Sequence, residues 1–317
     1  MSKESNNNGR AYEYICLMTL FNDISKNCKA RIIENSSFAS SKKAWNNIEK
    51  NMQNLLEISA KTASKKLFEL EPIILDDSNA DDILGLKIQS DENGIIGDVR
   101  DIVIFRDRIG WEIGLSLKHN HFAVKHSRLS KNLDFGKNWF KIPCSQKYWQ
   151  ETKDIFDFLE EEQKMNKTWR NLEDKKAKNV YIPLLQSFIK EIKRSYKKDK
   201  NLPKKMVEYL LGEFDFYKII SIDNKKITQF QAFNLHGKLG KSNQKAKILV
   251  PVVALPTRIV SINFTPNSNN KVELYLDNGW QVSFRIHNAS TMVETSLKFD
   301  IQIIGMPANI LIIDCPW

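Results

Sequence analysis

Apolar and polar positions alternate most cleanly near the middle of the first half of the chain. Trp111, Ile113, Leu115 and Leu117 fall on one face of a strand, and Glu112, Gly114, Ser116 and Lys118 on the other. Just before them, Ile102, Val103, Ile104 and Phe105 form an unbroken apolar run, as a fully buried strand does. The polar stretch 106–110 has the length of a hairpin connection. With the turn centred near Arg108, Asp101 lies across from Ser116 and two residues from Lys118.

Helical spacing flanks this pair. The stretch 11–21 is apolar or aromatic apart from Glu13 and Thr19, and predicts a helix starting near Arg10 behind an Asn-rich cap. Ala44, Trp45, Ile48, Met52, Leu55, Leu56, Ala60, Ala63 and Leu67 predict one long helix over 42–70, ended by Pro72. A short strand is expected at 84–88, and helices at 148–164 and 181–196. The charged stretch 164–179 is a candidate linker. From 206 a short helix gives way to strands. Two of these, 272–276 and 280–286, flank Asp277-Asn278-Gly279, a strong hairpin signal. No internal repeat is visible. The pattern predicts an α/β chain with a mixed sheet flanked by helices and a β-rich C-terminal region. The expected division is a core with N-terminal helices at 1–165, a helical basic linking region at 166–205, and a β-rich recognition region at 206–317.

Composition narrows the function. The chain has 317 residues, 42% of them hydrophobic, enough for one large domain or two ordinary ones. A formal net charge of +10 suggests a polyanionic partner, most simply nucleic acid. The 4 cysteines are scattered without a Cys-x-x-Cys pair, so neither a zinc site nor a disulfide framework is expected. A reducing cytoplasm fits. The polar start is no signal peptide, and no apolar run nears the roughly 18 residues of a membrane span.

An acid beside a lysine at the ends of paired strands is the skeleton of a metal-dependent phosphodiesterase site. A divalent cation holds the phosphate and lowers the pKa of a water. Magnesium prefers one or two carboxylates, a carbonyl and waters. A nearby lysine orients or deprotonates the attacking water and offsets charge. Asp101 and Lys118 fit those roles, with the Leu117 carbonyl as a further oxygen. Ser116 stands where such sites commonly hold an acid. Glu112 shares the face of Lys118 but lies about 20 Å away along a regular strand. Glu13 is therefore the favoured second acid, and Asp98 the next. The pairs Asp76-Asp77 and Asp81-Asp82 lie where solvated turn residues usually do. His119, His121 and His126 crowd one segment without zinc-site spacing, and fit phosphate contact or support better. Lys125 and Arg128 add positive charge after them.

Asn-Asn-Gly-Arg-Ala-Tyr-Glu at 7–13, Gly-Asp-Val-Arg-Asp at 97–101, the block 111–130 and Phe-Arg-Ile-His-Asn-Ala-Ser at 284–290 resemble the HaeIII family of type II restriction endonucleases. The resemblance covers nearly the whole chain. It implies a PD-(D/E)XK-type nuclease fold, magnesium dependence and blunt cleavage of double-stranded DNA at GGCC, with Asp101 and Lys118 as the motif's acid and lysine. Ser116 departs from the usual Asp or Glu, which leaves the completing acid open, and Glu13 in the first helix is the proposed one. Reading GGCC calls for major-groove donors and acceptors. Arg285, His287, Asn288 and Arg258 are the candidate readers. A palindromic site suggests a two-fold dimer. Two other readings remain at this stage: a non-catalytic sequence-specific DNA-binding protein, and a nuclease of the His-Asn-His class suggested by His119-Asn120-His121.

Overall fold

The computed structural model describes residues 3–76, 81–90, 98–120, 125–241 and 248–317, with the backbone alone at 3–6, 125 and 126. Asp77, Gly97 and His121, singled out above, lie outside the described residues, as do the side chains of Lys125 and His126. The helices are α1 (Lys3–Ile24), α2 (Ser36–Asn47), α3 (Lys50–Leu70), α4 (Phe135–Phe140), α5 (Gln146–Lys164), α6 (Ile182–Lys198) and α7 (Leu202–Leu211). The strands are β1 (Ala30–Ile33), β2 (Leu84–Ile88), β3 (Ile102–Arg106), β4 (Trp111–His119), β5 (Lys125–Ser130), β6 (Phe216–Ile222), β7 (Ile227–Phe233), β8 (Ile259–Phe264), β9 (Lys271–Leu276), β10 (Gln281–His287), β11 (Ser296–Gly305) and β12 (Leu311–Pro316). Among the described residues, no helix is long and apolar enough to cross a membrane.

The chain divides into two units, Met1–Phe122 with Gly212–Val253 and Asn309–Trp317, and Ala123–Leu211 with Ala254–Ala308. This differs from the sequential division expected at 165 and 205. Strand pairing is the reason: the chain leaves the first sheet after β4 and returns to it at β6, and periodicity along a sequence does not reveal a strand's partner.

The first unit holds a mixed sheet of order β1-β2-β3-β4-β6-β7-β12. β1–β2 and β4–β6 are parallel and the other pairs antiparallel. α1 and α3 bury Tyr12, Leu17, Leu20, Leu56 and Leu67 with Leu86, Ile104, Leu115, Leu117, Tyr217 and Phe230 of the sheet. α1 starts at Lys3, about two turns earlier than expected, with the Asn-rich stretch inside it. The long helix expected over 42–70 is two, separated where Ile48 and Glu49 turn extended. Asn35 caps α2 by accepting from the Phe38 amide. The apolar spacing runs through the break, so it cannot reveal it.

Two buried arginines tie the central strands down. Arg106 donates to Asp82 at 2.7 Å and to the carbonyls of Ile74 and Asp76. Asp82 is thus an ion-pair partner and not a solvated turn acid. Arg100 donates to Asp98 and Glu112, each at 2.8 Å, and lies over the Phe214 ring at 3.8 Å.

The second unit holds an antiparallel sheet of order β5-β11-β10-β9-β8. Trp139 and Phe188 from the helices pack against Phe284 and Phe299 of the sheet, with Phe135 behind them on Phe188. The β9–β10 hairpin forms as expected, with Asn278 and Gly279 at positive φ. The stretch expected to be a linker is instead ordered. Trp169 and Leu172 are buried in a short 3-10 turn, and a π-helical turn, Lys176–Tyr181, leads into α6.

Gly114 faces Arg100 so closely that an added Cβ would fall 2.0 Å from its Cδ. The guanidinium is held by two carboxylates and cannot swing away without breaking a buried ion pair. Gly114→Val is expected to cost about 2–4 kcal/mol. Urea denaturation with an unchanged m-value checks it.

Candidate active site

The β3–β4 hairpin pairs Ile102 with Leu115, and the ladder runs one step further through the Asp101 amide to the Leu115 carbonyl at 2.8 Å. Asp101 therefore stands at the open end of the ladder, opposite Ser116, as the alternation predicts. Its Oδ2 accepts from the Leu117 amide at 2.6 Å, the Lys118 ammonium at 3.0 Å and the Ser116 hydroxyl at 3.4 Å. Its Oδ1 accepts from no described residue. The N–H and C=O of one strand residue point to the same side, so the Leu117 carbonyl also lies toward β3.

Glu13 comes to this end from α1. Its Oε2 accepts from Ser41 of α2 at 3.1 Å. Burial pushes its carboxyl up to about 8, and the Asp101 charge pushes the same way; Lys118, Ser41 and Arg10 oppose them. Glu13 thus shares the electrostatic environment of the Asp101–Lys118 pair.

Sequence reasoning missed Lys218. It sits on β6 directly across from Ser116, and its side chain is buried. Burial brings its ammonium down to about 8, Lys118 lowers it further, and Asp101 works the other way. The signal was present: a lysine stands inside the apolar run Phe216, Tyr217, Ile219, Ile220.

The other expected groups are placed differently. Asp98, the next-choice acid, has both carboxylate oxygens engaged by Arg100, with Gln89 donating to Oδ2 at 2.8 Å. His119 is buried against Asp223, Nε2 to Oδ2 2.6 Å. Burial works against the Asp223 charge, but hydrogen bonds from His119, Asn120 and Ser221 hold the carboxyl below its ordinary range. His119 therefore supports the turn after β6 and is no free phosphate ligand. Asp223 was not foreseen.

Lys125, His126 and Arg128, expected beside the scissile phosphate, lie on β5 in the second unit's sheet. Here the block 111–130 is split between two sheets. Arg128 donates to the Ser296 carbonyl at 2.8 Å. Arg285 and His287 both reach Asp300 Oδ2, at 3.0 and 2.8 Å. Cross-strand register sets Lys271, Arg285, Asp300 and His126 in one row, and His287, Lys298 and Arg128 in another. Asn288 accepts from Lys176 at 2.8 Å. Arg258 is exposed and lies 3.9 Å from Asp277. Lys271, Lys298 and Asp300 were not picked out from sequence, since only strand pairing sets them beside Arg285.

Among the described residues, no group of three or more His, Cys, Asp or Glu converges as a metal site. What converges is a carboxylate pair with two lysines, arranged to hold a cation and a phosphate more than to grip a transition metal.

The HaeIII restriction endonuclease family matches residues 9–307. The type II restriction enzyme HaeIII of Haemophilus aegyptius is 52% identical over 320 residues, covering 100% of this chain and 99% of the relative. No solved structure matches the chain. The chain belongs to the HaeIII restriction endonuclease family and is a type II site-specific deoxyribonuclease.

Proposed function

We propose that this endonuclease cuts both strands of DNA at GGCC with magnesium, leaving blunt ends with 5′-phosphates, and that the first unit is its PD-(D/E)XK-type core. The observation that carries the reading is the contact of Lys118 with Asp101 at 3.0 Å, at the end of a strand pair that Glu13 also reaches.

The residues present fit a magnesium ion. Asp101 Oδ1 accepts from no described residue, the Leu117 carbonyl faces the same side, and Glu13 brings a second carboxyl, pushed up to about 8 by burial and by Asp101, whose charged form a cation would favour. A divalent cation at these oxygens would supply Lewis acidity to the phosphate and acidity to a water. The protein's own groups do the rest. Lys118, the ammonium held on Asp101, donates to the attacking water and orients it, while the Leu117 amide and Ser116 hydroxyl hold Asp101 in one rotamer. Water attacks phosphorus in line and gives its proton to solvent, and the 3′ oxygen leaves, taking a proton from solvent.

Arg285, His287, Asn288 and Arg258 are our candidate base readers, and Arg128, Lys125 and His126 candidate phosphate contacts. Asp300 would orient Arg285 and His287 toward the edge of guanine. A homodimer would give each strand of the palindrome its own site. The protein would act in the cytoplasm.

Lys118→Ala is expected to remove cleavage while leaving GGCC binding largely intact. Plasmid digestion with mapped ends, beside gel-shift titration, checks both halves; full cleavage by the variant would discard the mechanism. Chelating the magnesium should likewise stop cleavage of the same plasmid.

Glu13 gives a prediction for the metal-free protein. Its carboxyl releases its proton near 8 when folded and near its ordinary value of 4.5 when unfolded. Between those values the folded state binds more protons, so stability falls as pH rises and levels off above about 8. Glu13→Gln removes this slope. In chelator the variant should gain on the parent in melting temperature from about pH 5 to about pH 9. Parallel melting curves across that range would contradict it.

A further inference from the structure

We propose that Lys218 is a second catalytic lysine of this nuclease, setting its ammonium against the non-bridging oxygens of the phosphodiester being cut. The proposal rests on the Asp101–Lys118 reading above. β6 runs parallel to β4, with Lys218 opposite Ser116 and Ile220 opposite Lys118. Paired residues on neighbouring strands project to the same face. Lys218 therefore emerges beside Ser116, on the face that also carries Lys118. Its charge interacts with both members of the pair, repelled by Lys118 and attracted by Asp101.

Its place in the strand is costly. Every residue of β6 is buried, and Lys218 is the only charged one. Taking an ammonium out of water is unfavourable unless it is hydrogen-bonded and near opposite charge, so a lysine in such a strand is held in a polar setting. The lysine stem packs in the sheet, while its head reaches the polar end of the hairpin.

The chemistry supplies a task. In hydrolysis a bond forms from the water oxygen to phosphorus as the bond to the 3′ oxygen breaks. The water gives up a proton and the 3′ oxygen gains one. Negative charge grows on the non-bridging oxygens in between, and a cation fixed in place beforehand stabilises it without reorganising. Lys118, held on Asp101, serves the water. Lys218, one strand over, serves the phosphate. The serine at 116 suits this division: an acid there would stand directly opposite Lys218 and draw its charge away from the substrate.

The test is single-turnover cleavage of a GGCC duplex with magnesium, beside duplex affinity without it and thermal melting. K218M should fold, bind the duplex within about threefold of the parent, and cleave about a hundredfold more slowly. K218R, which restores charge at that point, should recover about tenfold of the loss. Cleavage by K218M within about threefold of the parent overturns the proposal, as does a folded K218R no faster than K218M. If K218M does not fold, K218Q replaces it under the same criteria. Lys118→Ala runs in parallel. An inactive Lys118→Ala beside an active K218M removes only Lys218, whereas an active Lys118→Ala removes the reading of the site itself.

Discussion

The site depends on the register of one hairpin. Asp101 can accept from the Leu117 amide, the Ser116 hydroxyl and the Lys118 ammonium only because Ile102 pairs with Leu115. Side chains alternate with a period of two, so a one-residue slip would send Lys118 to the opposite face and Leu117 to the site. Two features hold the register. A 3-10 turn, Asp107–Ile109, closes on Gly110 at φ 60, a conformation glycine adopts without strain. Arg100 then bridges Asp98, before β3, to Glu112 in β4, so each strand is pinned to the other below the catalytic end. The clamp acids and the proposed catalytic acids are therefore separate sets: Asp98 and Glu112 fix the frame, and Asp101 and Glu13 are the acids proposed for the chemistry.

Electrostatics then orders the groups. Glu13 and Lys218 are both pushed toward neutrality, the acid up to about 8 and the amine down to about 8. Burial is the largest cause for each, and each is pushed further by a like charge, Asp101 for one and Lys118 for the other. Such matched displacement is a mark of a functional cluster more than of a structural ion pair, in which opposite charges settle each other. The contrast within the same unit is Arg106 with Asp82, a buried pair whose charges satisfy one another and which touches nothing catalytic.

Local pattern carried much of this. The β3–β4 hairpin, its pairing of Asp101 with Ser116, the helix bearing Glu13 and the Asp277–Gly279 turn all follow from periods of two and 3.6 residues and from turn chemistry. What stayed hidden was long-range pairing. Lys218 is about a hundred residues from Ser116, and nothing in the run around it names β4 as its neighbour. The segment after His119 looked continuous with the catalytic strand, yet β5 joins β11, nearly the whole second unit away in sequence. Asp223 and Asp300 are ordinary acids in sequence and gain meaning only from the histidines they meet. The break at Ile48 and Glu49 is invisible for another reason: two extended residues leave the apolar spacing intact.

The parallel pairing of β4 with β6 explains the discontinuous units. Two parallel neighbours cannot be joined by a tight turn; a crossover must carry the chain back to the starting end. In a small α/β unit that crossover is one helix. Here it spans residues 120–215, and most of it is built into the second unit, with four helices and the strand β5. A further excursion, Ala254–Ala308, separates β7 from β12 and supplies the rest of the second sheet. The first unit's sheet is thus completed, in chain order, only after most of the second unit. Asp101 and Lys118 form a local pair that needs only the hairpin, whereas Lys218 joins them through a contact of long sequence separation, the kind whose closure entropy is met late in folding. The electrostatic character of the site, with two lysines on one face, therefore exists only in the finished sheet. The Asp101–Lys118 contact is local to the hairpin, whereas Lys218 joins it only across the β4–β6 pairing.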